Sequence, residues 1–270
     1  MKVLREGFAL DALLSRVRRA SSRVLFLDYD GTLAPFRVDP IDARPYEGVP
    51  SRLEAIRDGG TRLILVSGRP AAEVRDLLAL EPPPETWGTH GWERAPRGRA
   101  AGRVEIPEEA RAGLEEAADR VRAAGGGGRL ERKPAALALH VRGQGREAAE
   151  RALRSARSAW EPVARSRDLD LRPFDGGLEL RVPGRDKGFA VRTVLEELEP
   201  GVAVYLGDDD TDEDAFRAIE GRGAAVLVRD ELRPTAADVW IRPPAELLDF
   251  LDRWADAAAT GDADAAGEGG

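Results

Sequence analysis

The chain has 270 residues, a formal net charge of −8, 42% hydrophobic and 33% charged residues, and no cysteine. That composition fits a globular chain with one large domain or a domain carrying a sizeable insert. It excludes disulfides, thiol catalysis and thiolate metal sites, and it offers no basic footprint for nucleic acid.

Taken in chain order, Leu10, Leu13, Leu14 and Val17 recur at helical spacing and predict a helix over 9–20. Arg5, Glu6 and Asp11 stand where an export signal would need an apolar core, so the expected location is the cytoplasm. An apolar run predicts a strand over 23–28, ending in Asp28-Tyr29-Asp30-Gly31-Thr32-Leu33. Pro50 opens a helix with Leu53 and Ile56 inward, stopped by Gly59-Gly60. A second buried strand over 62–66 ends at Ser67-Gly68-Arg69, and a helix follows from Pro70 to about Leu78. Such alternation argues for a parallel sheet with helices on both faces.

Near residue 100 the rhythm changes. A helix over 107–123 is followed by two strands, 129–133 and 135–142, at hairpin spacing. A helix over 146–160 and three short strand candidates between 162 and 182 complete this stretch. Strands adjacent in sequence indicate an antiparallel α+β unit. From Lys187 the parallel rhythm returns: a helix to about 198, a strand over 202–206 ending at Gly207-Asp208-Asp209, a helix over 211–220, strands at 224–228 and 238–241, and a helix over 245–255. The expected organisation is a core in two parts, 1–100 and 184–256, interrupted by an insert at 101–183. A tail of alanine, glycine and aspartate from 257 to 270 is expected to be disordered. No run approaches the roughly 20 apolar residues of a membrane span, so neither a membrane nor nucleic acid is an expected partner. Oligomeric state is left open, a monomer being compatible with the sequence.

The chemistry-bearing residues sit at predicted strand ends. In an open α/β sheet the carboxyl edge is where ligands bind. Along an extended strand Asp28 and Asp30 start on the same side, and two carboxylates held close repel unless a cation or a shared proton relieves them. Mg²⁺ suits that role, since it takes hard oxygen ligands from one or two carboxylates plus a phosphate. Only three of the 41 basic residues are lysines: Lys2, Lys133 and Lys187. A lysine kept among so many arginines is a candidate for a role that needs a compact ammonium. Each motif also has a plain structural reading: an Asp-Gly turn, a strand-to-helix turn at Ser67-Gly68, an ordinary helix start at Lys187-Gly188, and a helix N-terminus enriched in aspartate at 208–214.

Taken together, Asp28-Tyr29-Asp30-Gly31-Thr32-Leu33, Ser67-Gly68-Arg69, Lys187-Gly188 and Gly207-Asp208-Asp209-Asp210-Thr211-Asp212-Glu213-Asp214 resemble, in order, the four motifs of the haloacid dehalogenase-like phosphatases. Thr89-His90-Gly91-Trp92-Glu93, Glu131-Arg132-Lys133-Pro134 with His140-Val141-Arg142, and Glu179-Leu180-Arg181-Val182-Pro183 are similar to motifs of the trehalose-6-phosphate phosphatases. The resemblance implies a Rossmann-like parallel core with an inserted α+β cap. It also implies a Mg²⁺-dependent hydrolase of a small-molecule sugar phosphate, the cap closing over the core to exclude water.

Carried over residue by residue, it makes Asp28 the nucleophile that forms an aspartyl phosphate. Asp30 is then the general acid and base. Asp28, the Asp30 carbonyl and Asp208 are implied metal ligands, with Asp209 and Asp212 behind them holding metal-bound water. Thr32, Ser67, the Gly68 amide and Lys187 are implied phosphate-binding groups. His90, Glu131, Lys133, His140, Arg142, Glu179 and Arg181 are the implied sugar-binding set, their period-2 spacing letting pairs share a face. Rival readings are a related capped phosphatase acting on sucrose phosphate or mannosyl-phosphoglycerate, a phosphomannomutase, and a non-catalytic sugar-phosphate sensor. Asp28, Asp30 and Asp208 are all present, which disfavours the sensor.

Overall fold

The computed structural model describes residues 1–102, 104–125, 128–174 and 176–267, with side chains as far as 260. Its strands are β1 (Lys2–Val3), β2 (Arg23–Leu27), β3 (Thr61–Val66), β4 (Glu85–Gly88), β5 (Glu93–Ala95), β6 (Arg129–Lys133), β7 (Ala136–His140), β8 (Asp170–Phe174), β9 (Gly177–Arg181), β10 (Val202–Gly207), β11 (Ala224–Val228) and β12 (Val239–Ile241). Its α-helices are α1 (Leu10–Arg19), α2 (Val49–Asp58), α3 (Ala71–Leu78), α4 (Glu108–Ala123), α5 (Arg146–Arg167), α6 (Lys187–Leu198), α7 (Glu213–Ile219) and α8 (Ala245–Gly267). These elements fall into two compact units, Met1–Ala101 with Lys187–Gly270, and Gly102–Asp186.

In the larger unit the strand order is β1-β12-β11-β10-β2-β3-β4-β5. The six inner strands are mutually parallel, while β1 and β5 close the edges antiparallel. Both faces are covered, so inner strands read as continuous apolar runs whose alternate side chains enter different cores. Leu25 and Leu27 of β2 pack with Leu13 and Val17 of α1, Leu53 and Ile56 of α2, and Phe250 and Trp254 of α8. Val24 and Phe26 of the same strand pack on the opposite face with Val191 and Val194 of α6 and Phe216 of α7. Each such side chain contributes roughly 1.5–3 kcal/mol by leaving water. Buried polar anchors fix the layers: the Trp254 indole N–H donates to Thr61 Oγ1 at 3.1 Å.

The smaller unit is an antiparallel sheet of order β6-β7-β9-β8. Register places Leu130 opposite Leu139, and Leu137 opposite Leu180. These leucines share one face, and α4 and α5 lie on this sheet. Trp160 is fully buried between the two helices and donates to the Ala117 carbonyl at 3.0 Å. By the same alternation Glu131, Lys133, His140, Glu179 and Arg181 share the other face.

Five elements differ from expectation. β1 and the β4–β5 pair were not anticipated; β4 has four residues and follows three prolines, too short a signal for alternation. α5 runs through Pro162 to Arg167, so two strands, not three, lie between α5 and α6 among the described residues. Trp160 and Val163 bury one helical face across the proline, and that packing outweighs the one missing N–H. The tail expected to be disordered from 257 continues α8 to Gly267, with Ala257 and Ala258 buried in the core beside Trp254. Alanine is the strongest helix former, and here its small side chain also packs. Residues 268–270 of that tail lie outside the described residues.

Candidate active site

Adjacent parallel strands assemble the site of the larger unit. Leu27 of β2 pairs with Leu206 of β10, and the Asp28 amide still donates to the Leu206 carbonyl at 2.9 Å. Asp28 and Asp208 therefore leave neighbouring strands at one carboxyl edge. On the other side of β2, β3 ends at Val66 and leads into Ser67, whose amide donates to the Trp87 carbonyl of β4 at 2.8 Å. The chain then turns tightly after Asp28: the Gly31 amide bonds the Ala34 carbonyl at 2.8 Å, and the Tyr29 carbonyl accepts from Leu33 and Ala34. Gly31 sits at φ +82°, and a Cβ there would lie 2.2 Å from Asp208 Oδ2. No other residue type fits a left-handed turn against that carboxylate.

Asp28, Asp208 and Asp212 are buried, with one carboxylate oxygen of each lying within 4.8 Å of the others. Lys187, first residue of α6, donates from Nζ to Asp28 Oδ1 and to Asp212 Oδ1, both at 2.7 Å. Asp212 Oδ1 also accepts from the Tyr205 hydroxyl at 2.6 Å, and Oδ2 from the Asp208 and Asp209 amides at 3.1 and 3.0 Å. Asp212 is thus committed to orienting its neighbours. Asp208 is the opposite case: both carboxylate oxygens are buried without a hydrogen-bond partner. Three buried carboxylates face one ammonium here, so with all three ionised two negative charges exceed what it can balance. Burial pushes the Asp28 carboxyl up to about 7, Lys187 pulling it back and Asp212 pushing further. Burial, then the charges of Asp28 and Asp212, holds Asp208 well above the usual carboxylate range. Burial works against the Lys187 ammonium, but Asp212 and Asp28 more than offset it and hold its pKa above the usual value. An orphaned carboxylate pair of oxygens beside a second hard oxygen donor, with a charge deficit of two, fits a divalent cation.

The remaining predicted residues surround this centre in different ways. Thr32 is fully buried, its hydroxyl 3.3 Å from Asp28 Oδ2. Ser67 is buried and accepts the Arg69 amide on Oγ at 3.2 Å. Asp209 caps the short 3₁₀ turn Asp210–Asp212, accepting the Asp210 amide at 2.8 Å. Asp30 is held by Arg69: its two carboxylate oxygens each accept from the guanidinium, Oδ2 from Nε and Oδ1 from Nη2, both at 2.6 Å. His90 is buried, and its ring covers Gly68, where a Cβ would lie 2.6 Å from the ring. Thr89 and His90 both adopt left-handed backbone, at φ 48° and 53°. Such strain persists only where neighbours over-determine it; the Thr89 amide bonds the Arg69 carbonyl at 2.8 Å and the His90 amide the Ser67 carbonyl at 3.0 Å.

The six other predicted residues belong to the smaller unit. Lys133 Nζ donates to Glu179 Oε1 at 3.0 Å, and His140 Nε2 meets Glu131 Oε2 at 2.6 Å. Arg181, on the same face, is buried. Arg142 lies beyond the end of β7, its guanidinium beside Gly176.

Arg69 and Glu213 stand within the sequence motifs but were given no role there, and Arg233 was missed altogether. Arg233 donates to the Asp208 carbonyl at 3.3 Å, the Asp209 carbonyl at 2.8 Å and Glu213 Oε1 at 2.6 Å. Glu213 Oε2 in turn accepts the Ala236 amide at 2.8 Å. The loop carrying Asp208 is braced from outside by this arginine. Nothing periodic in the sequence around 229–238 marks it.

The trehalose-phosphatase family model matches residues 26–236, spanning the site from β2 to Arg233. A trehalose-phosphate phosphatase of Mycobacterium marinum is 33% identical over 258 residues, covering 87% of this chain and 62% of that protein. One of Mycobacterium tuberculosis is 34% identical, with the same coverage. The chain thus spans about 62% of the length of the curated relatives it matches. In fold it is similar to the C-terminal domain of the Candida albicans trehalose-6-phosphate phosphatase, with a TM-score of 0.81 at 22% identity, covering 95% of this chain and 99% of that one. With a match across most of its length, and with carboxylates, lysine and strand order in this arrangement, the chain belongs to the trehalose-phosphatase family, on a haloacid dehalogenase-like fold.

Proposed function

We propose that the chain hydrolyses trehalose 6-phosphate to trehalose and phosphate through an aspartyl phosphate on Asp28, with Mg²⁺ as its divalent ion. The observation that carries this reading is the Asp28–Lys187–Asp208 constellation at one sheet edge, with Asp208 left unpartnered. Asp28, the Asp30 carbonyl and Asp208 would hold Mg²⁺, which when bound screens the charge between phosphate and carboxylate.

The protein's own residues supply the rest. Asp28 attacks phosphorus, and the sugar oxygen leaves with a proton from the Asp30 carboxyl. Water then attacks the aspartyl phosphate, giving its proton back to Asp30 and releasing phosphate. Thr32, Ser67 and the Gly68 amide donate to the non-bridging oxygens, and Lys187 adds a point charge there. Asp212 keeps Lys187 aimed, and Asp209 shapes the turn behind Asp208. Sugar hydroxyls are assigned to His90, to Glu131, Lys133, His140, Glu179 and Arg181 of the smaller unit's polar face, and to Arg142 beyond the end of β7. Carboxylates there accept from paired hydroxyls, while lysine and arginine donate.

Phosphate release from trehalose 6-phosphate, sucrose 6-phosphate and glucose 6-phosphate, with and without Mg²⁺, tests the proposal. The expected result is preference for trehalose 6-phosphate and loss of release on chelation. Preference for a monosaccharide phosphate, or undiminished release without the ion, would refute it.

A further inference from the structure

The proposed general acid does not stand free. Arg69 meets Asp30 with two parallel N–H···O contacts, each 2.6 Å. A fork of this kind fixes the plane of a carboxylate as well as its position. The arginine is itself held on every side. Its Nη1 donates to Glu73, in the first turn of α3. Its guanidinium carbon lies 5.9 Å from the centre of the Tyr29 ring, and Tyr29 is fully buried with its hydroxyl on the Ala43 carbonyl at 2.7 Å. Its backbone is tied to Ser67 Oγ and to the Thr89 amide. The Arg69 side chain is 10% exposed and that of Asp30 27%. Glu73 and Tyr29 thus hold Arg69, and Arg69 holds Asp30, a chain of supports leading out of the phosphate-binding loop into the acid.

We propose that Arg69 is the positioning residue for Asp30, fixing its carboxyl where it exchanges a proton with the leaving sugar oxygen, with Glu73 as the anchor of Arg69. This inference rests on the reading of Asp28 as nucleophile and Asp30 as acid and base. Arg69 makes and breaks no bond; the proton travels from Asp30 to the sugar oxygen and returns from water. Lysine cannot replace it, because a single ammonium does not present two parallel donors.

Two comparisons test it in the 270-residue chain with Mg²⁺. The first is kcat/KM for trehalose 6-phosphate and for p-nitrophenyl phosphate, whose leaving group departs without a proton. Because kcat/KM runs only to the first irreversible step, hydrolysis of the aspartyl phosphate does not enter. Arg69→Gln and Arg69→Lys are expected to lose on the order of 10²-fold on the sugar phosphate and only a few-fold on the aryl phosphate. The second is a double-mutant cycle: Arg69→Gln placed on Asp30→Ala should cost almost nothing further. Glu73→Gln, which keeps the arginine, should show the same split at smaller size and serves if the Arg69 variants fold poorly. Equal losses on both substrates, or equal losses with and without Asp30, would overturn the role of Arg69 while leaving the phosphatase reading intact. A parent protein inactive on both substrates would instead overturn that underlying reading.

Discussion

Lys187 Nζ donates to Asp28 Oδ1 at 2.7 Å, joining residues 159 positions apart inside a buried site. The same ammonium also serves Asp212, so one cation restrains two carboxylates. Removing it leaves buried charge without its partner, a change that costs roughly 3–5 kcal/mol. Lys187→Met is therefore expected to lower the melting temperature sharply and to cut turnover by about 10²–10³-fold, the usual loss of a charge-stabilising donor. Saturating divalent ion should recover part of the stability but not the turnover. Thermal melts with and without the ion, alongside phosphate release, check this.

The metal-free protein should be less stable at higher pH. The Asp28 carboxyl titrates near 3.8 when unfolded and at about 7 when folded, because burial disfavours its charge. Between those values the folded chain binds more protons than the unfolded one, so stability falls as pH rises and levels off above 7. Asp208 is shifted the same way. Melting temperature measured without metal is expected to drop by several degrees from pH 5.5 to 8. Saturating Mg²⁺ should flatten the curve and raise it, by about 2.7 kcal/mol at a hundred times the dissociation constant. A metal-free melting temperature that rises over this range would contradict the charge surplus at Asp28 and Asp208.

Arg233 should matter for the ion although it touches no metal-binding oxygen of Asp208. It holds the Asp208 and Asp209 carbonyls, and Glu213 holds it. Outer supports of this kind typically carry 10–100-fold in metal affinity. Arg233→Met is expected to weaken Mn²⁺ binding, measured by titration calorimetry, by at least about tenfold. Trehalose 6-phosphate turnover at saturating ion should change much less.

The parallel core and the strand ends that carry Asp28, Ser67 and Asp208 were legible because apolar runs of five or six residues stop at polar residues. The helix beginning at Lys187 was legible for the complementary reason, a return of helical spacing after the insert. Pairings set by three-dimensional closure were not. The Arg69–Asp30 fork depends on the tight turn at Gly31 and on where β3 delivers its loop. Arg233 reaches Asp208 from a segment with no periodic pattern. α8 was cut short because a run of alanine, glycine and aspartate reads as low complexity, whereas Ala257 and Ala258 bury against Trp254. On the smaller unit, alternation put Glu131 with Lys133, His140 with Arg142 and Glu179 with Arg181, each pair on one side of its strand, but it could not show the register that pairs Lys133 with Glu179 and Glu131 with His140.

The proposed covalent chemistry rests on a single carboxylate, and Asp28→Asn isolates it with almost no change of shape. Phosphate release from trehalose 6-phosphate by that variant, loaded with Mg²⁺ and melting like the parent protein, is the most direct measurement. Turnover reduced by at least about 10⁴-fold is expected. Release at a rate near that of the unsubstituted chain would contradict the assignment of Asp28 and the mechanism built on it.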